Sequence, residues 1–247
     1  MSETARVALV ADAGFYVGPA LVRLLASCGH RLVLGDPSDE VIADMEAGGY
    51  AFEAVAGVRN LAKPESAPAL VDAALARFGR IDAAVAASGM VTTGRFLDST
   101  VDDLRTVVRG CLEAPYHFLK AVLPPMVGRG AGQVLVITSA AAARPTPGAP
   151  LYSAVRAGAT MLARNVAAEV ARYGVQVNAV GTNFMDFPEF LRASGAGDPE
   201  VRARIEAQVP LGRLGTMEEF AAFCMPFVDG TSRFTTGQFV AYAGGWA

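Results

Sequence analysis

Short apolar runs, each closed by a turn signal, alternate along this chain with longer segments in which apolar residues recur at helical spacing. That alternation leaves few folds open. The runs are Val7-Ala8-Leu9-Val10, Arg31-Leu32-Val33-Leu34, Ile81-Asp82-Ala83-Ala84-Val85, Gln133-Val134-Leu135-Val136-Ile137 and Val175-Gln176-Val177-Asn178-Ala179-Val180. Runs of this kind suit strands buried on both faces, and the segments between them (Pro19 to Ser27, Pro64 to Phe78, Val101 to Val122, Ala154 to Arg172) supply the crossover helices. The order predicts a doubly wound α/β domain, a parallel sheet flanked by helices on both faces. No composition shift or repeat divides the 247 residues, so residues 1–247 are expected to form one domain. From Phe184 to Glu206 the pattern is broken by Pro188, Gly195, Gly197 and Pro199. Such an excursion after a strand is expected over the carboxyl ends of the sheet, where ligands bind.

Charge and composition remove several classes of function. With 21 basic and 24 acidic side chains spread along the chain, for a net charge of −3, no cluster is suited to a phosphate backbone, and nucleic acid is not an expected partner. Although 52% of the residues are hydrophobic, Gly, Arg and Asp interrupt every apolar stretch before it could span a membrane. The start, Met1-Ser2-Glu3-Thr4-Ala5, has no basic segment followed by an apolar one, which predicts a cytoplasmic protein. Cys28, Cys111 and Cys224 are odd in number and far apart, as expected of buried thiols rather than a disulfide framework. Neither His30 nor His117 has a partner at ligand spacing, so no metal is expected.

Two places carry chemistry. After the first strand, Ala11-Asp12-Ala13-Gly14-Phe15-Tyr16-Val17-Gly18 occupies the position at which dinucleotide enzymes place glycines, so that backbone N–H groups can approach a diphosphate at a helix start. Asp12 and Tyr16 stand at two of those glycine positions, putting a carboxylate and a phenol on the expected approach, and only Gly18 is kept. Asp36, closing the second strand, points the other way, because an acid there can hold an adenosine ribose; before Pro37 it also serves as an ordinary turn residue. The reading that follows is of a chain without a nicotinamide cofactor.

The second place is Ser139, twelve intervening residues, Tyr152, three more, and Arg156. Tyr152 and Arg156 are four apart and share a helix face, while Ser139 ends a strand that faces the same crevice. A guanidinium beside a phenol favours the phenolate, which can act as a general base. Between Ser139 and Tyr152 the small residues Ala141, Ala143, Thr146 and Ala149 predict a roomy substrate pocket.

With this spacing, together with Tyr16 before Val17-Gly18, the chain resembles the halohydrin dehalogenases, a family related to the short-chain dehydrogenases, over essentially its whole length. Ala11 departs from the family's usual Thr in the glycine loop. The resemblance implies a Rossmann-like fold, a homotetramer and a cofactor-independent lyase that turns a vicinal halohydrin into an epoxide, halide and a proton. It also implies that the reverse reaction opens epoxides with small anions such as azide, cyanide or nitrite. Ser139 would bind the substrate oxygen, Tyr152 would take its proton and Arg156 would hold the phenolate. Tyr16, Thr182, Asn183, Phe184 and Met185 would surround the leaving halide. The competing reading is an NAD(P)-dependent short-chain alcohol dehydrogenase or reductase, favoured by Asp36 and by the general fold.

Overall fold

Residue alternation along the first strand accounts for the layering. In the computed structural model, which describes residues 5–87 and 93–247, β1 (Val7–Val10) lies near the centre of the sheet with all four residues buried. Successive side chains point to opposite faces of a strand. Val7 and Leu9 therefore enter one core cluster, while Ala8 and Val10 enter another. β5 (Gly132–Ser139) divides in the same way, Val134 and Val136 to one side and Leu135 and Ile137 to the other.

The other strands are β2 (Arg31–Gly35), β3 (Phe52–Val55), β4 (Ala83–Ala87), β6 (Val175–Thr182) and β7 (Phe239–Tyr242). Together they form one seven-stranded sheet in the order β3-β2-β1-β4-β5-β6-β7, with each neighbouring pair parallel. The first core cluster is closed by α3 (Ser66–Phe78), α5 (Ala114–Arg129) and α6 (Pro150–Val170). The second is closed by α1 (Gly18–Ser27), α2 (Asp39–Ala47) and α9 (Met217–Cys224). This is the doubly wound arrangement expected. The strand order reverses between β1 and β4, which opens a crevice above their carboxyl ends.

The segment Val101 to Val122, expected as one helix, is instead α4 (Val101–Val108), a π-helical turn (Arg109–Glu113) and α5. Pro115 has no N–H to give to the carbonyl four residues back, and Gly110 weakens the helix just before it, so the register widens for one turn. The edge strands β3 and β7 escape a reading by apolar runs because their residues are mostly half-exposed. The stretch expected to be irregular after β6 holds two short helices, α7 (Pro188–Ser194) and α8 (Pro199–Glu206), each opened by a proline. No helix among the described residues is long and apolar enough to cross a membrane, and residues 1–4 lie outside the described part.

Candidate active site

Ser139 is the last residue of β5 and pairs in register with Thr182, the last residue of β6. Its buried hydroxyl accepts from the Ala141 N–H at 3.2 Å and donates to the Thr182 carbonyl at 3.4 Å, a long contact that a better acceptor could replace. Helix α6 lies across the same strands and carries Tyr152 and Arg156 one turn apart, both buried. The Arg156 guanidinium carbon sits 5.2 Å from the centre of the Tyr152 ring, within cation–π range. Arg156 Nε and Nη1 are buried without a hydrogen-bond partner. A guanidinium in that state is an electrostatic demand for an anion or a strong acceptor in the crevice. A buried bond of 3.1 Å from the Thr160 hydroxyl to that of Thr138, the residue before Ser139, ties α6 to β5. Thr160 lies four residues beyond Arg156 on the same helix face, so its spacing alone is a signal that could have found it.

Tyr16 faces this group from the β1–α1 turn. Its residue keeps the left-handed backbone (φ 55°) that glycine supplies elsewhere, and its hydroxyl shares a 2.7 Å hydrogen bond with Thr182 Oγ1. The ring stands edge-on to Phe187 at 4.8 Å and near Phe220 at 6.0 Å. Burial pushes its phenol up in pKa, the Thr182 bond opposing, with Tyr152 and Arg156 both close enough to act on it. The turn after β1 is thus bolted to the end of β6 across the crevice.

Asp12 is not on the approach that its sequence position suggested. Its side chain turns inward and accepts from the Ala87 N–H at 3.0 Å. Burial pushes its carboxyl up to about 7, with the Ala87 bond and Arg59 opposing. Asp36 (φ 42°) accepts from the N–H groups of Gly57, Val58 and Arg59 at 2.5–2.7 Å, one on Oδ1 and two on Oδ2.

The remaining expected site residues are divided. Thr182 meets Tyr16, whereas Asn183, Phe184 and Met185 line a separate cavity of about 100 Å³ with Val209 and Tyr242. Met185 is buried and bridges to Gly215. The roomy pocket expected from small residues is corrected in part. Ala141 and Ala149 are packed into an apolar cluster with Val107, Cys111, Tyr152 and Val155, while Ala143 is exposed and Thr146 bonds back to the Arg144 carbonyl. Sequence reasoning missed Arg144 and Trp246. Arg144 Nη1 donates to the Trp246 carbonyl at 2.6 Å, its guanidinium lies 4.5 Å over the indole, and Phe184 meets that indole edge-on at 5.5 Å. The C-terminal segment therefore straps the loop before Tyr152 to the loop after β6.

Comparison with known proteins bears on what this site does. Residues 16–247 match the family described as enoyl-(acyl carrier protein) reductase. The chain is 32% identical to a 3-oxoacyl-[acyl-carrier-protein] reductase of Synechocystis over 98% of its own length and 97% of the relative's. It is also 32% identical to a cis-4-hydroxycyclohexanecarboxylate dehydrogenase of Sinomonas cyclohexanicum, over 98% and 96%. Among solved structures, a gluconate 5-dehydrogenase of Burkholderia cenocepacia in complex with NADP and tartrate superposes with a TM-score of 0.86 at 26% identity, covering 98% of this chain and 94% of that one. These relatives are reductases and dehydrogenases. The expectation of a carbon–halide lyase acting on halohydrins is corrected by them, and the halide role given to Tyr16, Thr182, Asn183, Phe184 and Met185 is set aside with it.

Proposed function

Because this chain belongs to the short-chain dehydrogenase/reductase family, we propose that it is an oxidoreductase interconverting a secondary alcohol and the corresponding carbonyl compound. The observation that carries the reading is the convergence of Ser139, Tyr152 and Arg156 at the carboxyl end of a sheet, in a chain that resembles known reductases and dehydrogenases along its length. Ser139 Oγ, weakly held by the Thr182 carbonyl, turns to donate to the substrate oxygen. The Tyr152 hydroxyl exchanges a proton with the same oxygen, and the buried charge of Arg156 stabilises the negative charge that develops on either.

A nicotinamide dinucleotide is the redox partner that the family implies; it would supply or accept the hydride, and the residues present could hold it once the Tyr16–Thr182 contact opens. Tyr16 closes the crevice onto Thr182, and Asp36 takes two backbone donors on Oδ2 and one on Oδ1, which keeps acceptor capacity. An uncapped start of α1 remains available to an anion, but it does not by itself make a diphosphate seat.

The test is direct. Calorimetry on the full chain reads dinucleotide binding directly. NADH and NADPH are titrated into the protein, and turnover of a panel of secondary alcohols and ketones is followed by reduced-nicotinamide absorbance. Saturable binding of one dinucleotide with turnover of a panel member is expected. If neither dinucleotide binds and no panel member turns over, the oxidoreductase reading fails.

A further inference from the structure

The opposite end of the sheet holds a groove lined by charged side chains. The amino ends of β1, β2, β4, β5 and β6, with the loop before β7, enclose a groove of about 1550 Å³. Arg6, Arg80, Arg129 and Arg233 line it, with His30 and only two acids, Asp82 and Asp229. In a chain of net charge −3 this is a cationic island.

Its charges are not mutually satisfied. Arg80 and Arg129 both donate to one oxygen of Asp82 at 2.5 Å, while its other oxygen accepts from the Val7 N–H at 2.8 Å. Burial opposes ionisation of Asp82, but these bonds outweigh it and hold its carboxyl below the usual carboxylate range. Arg6 must make do with neutral acceptors, the Gln133 side-chain carbonyl at 2.8 Å, the Val228 carbonyl at 3.1 Å and the Asp82 carbonyl at 3.4 Å. Desolvation lowers its pKa; Asp82 and Asp229 resist, and Arg129 and Arg80 add to the lowering. Asp229 receives the N–H and hydroxyl of Thr231. Arg233 is exposed at the rim and donates to the Gly230 carbonyl at 3.2 Å.

Among the described residues, six buried side-chain polar atoms have no hydrogen-bond partner. Two belong to Arg156 in the crevice and one to Ser153 on the same helix, and the other three are Arg6 Nε, Arg80 Nε and His30 Nε2, all on residues of this groove. Orphaned polar atoms in a native fold mark strain, a bound water or a ligand that completes them. Here five of the six lie on Arg156 or on residues of this groove.

His30 defines the ligand further. It is only 6% exposed, and its Nδ1 lies 3.2 Å from the Leu25 carbonyl, which can only accept, so Nδ1 carries the proton. Burial, reinforced by Arg6, holds the ring below its usual pKa and thus neutral. Nε2 is then a lone pair that needs a donor, set among guanidiniums that need acceptors.

We propose that this groove binds a soluble phosphate or phosphate monoester, an oxyanion that offers acceptor oxygens to the arginines and, when it retains a proton, an O–H to His30. Sulfate has the same shape and no proton near neutral pH, so the two ions separate this site from simple charge attraction.

Calorimetry on the full chain at low salt should show saturable binding of inorganic phosphate, one per chain, with sulfate about tenfold weaker or more. The double substitution Arg80→Gln with Arg233→Gln leaves Arg129 on Asp82 and should weaken phosphate about tenfold or more, while activity at the far end of the sheet is unchanged. Arg233→Glu, a single change at the exposed rim, should weaken it in the same direction and guards against misfolding of the double variant. Absence of saturable binding, equal affinity for sulfate, or affinity unchanged in both variants would overturn the site. A lipid headgroup presents the same chemistry, and vesicles of phosphatidylcholine containing phosphatidic acid distinguish it. The protein should stay in the supernatant; sedimentation that inorganic phosphate does not reverse would overturn the assignment to a soluble ligand.

Discussion

Tyr152→Phe is expected to lower kcat/KM by about 10²–10⁴-fold, the range for removing a positioned general acid–base group. The substitution deletes one oxygen and leaves the ring under the Arg156 guanidinium, whose 5.2 Å contact is with the ring face and not with the hydroxyl. The apolar cluster with Val107, Cys111 and Val155 also keeps its partner. Thermal stability should therefore barely move while turnover collapses. A variant that keeps wild-type turnover on the best substrate, with an unchanged melting curve, would show that Tyr152 is not the proton-transfer group. Ser139→Ala should be milder, because it removes a donor to the substrate oxygen and not the proton relay.

The second large effect concerns stability. Asp12 is buried, and its carboxyl is pushed up to about 7, mainly by desolvation, against an ordinary value of 3.8. The fold thus favours the protonated form. From about pH 4 upward the unfolded chain releases this proton while the folded chain keeps it, so stability falls as pH rises, and the loss is complete once pH passes the folded value near 7. At about 1.36 kcal/mol per unit, the penalty above neutrality approaches roughly 4 kcal/mol. Asp12→Asn carries no charge at any pH and keeps a side-chain carbonyl to accept from the Ala87 N–H. It should be more stable than the wild type at about pH 8, by a shift in Tm on the order of 10 °C, and should lose most of that advantage at about pH 4. Melting curves at the two pH values decide it. An advantage that is the same at both, or absent at both, would mean that Asp12 is not held protonated in the fold.

How far the site is legible in the sequence depends on whether its chemistry lies within one element or between several. Tyr152 and Arg156 are one helical turn apart, and Ser139 closes an apolar strand, so spacing alone brings them to one crevice. Asp12 shows the opposite case. Its place in the β1–α1 turn suggests a carboxylate blocking a phosphate, but the side chain turns inward to the end of β4, a partner 75 residues away that no local pattern reveals. Asp36 has the position of a ribose ligand or a turn residue, and the loop after β3 brings it three backbone donors that no local pattern reveals. The family resemblance carried by Tyr16 and Arg156 leads to lyase chemistry, whereas whole-chain similarity leads to oxidoreductases. A few site residues weigh less in such a comparison than the frame that carries them.

Local periodicity was enough for the doubly wound fold, and motif spacing for naming Ser139, Tyr152 and Arg156 as candidates, because strand alternation and helical spacing are imposed by backbone geometry within each element. The Tyr16–Thr182 bolt, the Arg144–Trp246 strap, the inward turn of Asp12 and the cationic groove beneath the sheet emerge only in the folded chain. Each of these joins residues far apart in the chain, and which buried polar group meets which is set by the parallel packing of strand ends, where charge and hydrogen bonding must be satisfied across elements or left open for a ligand.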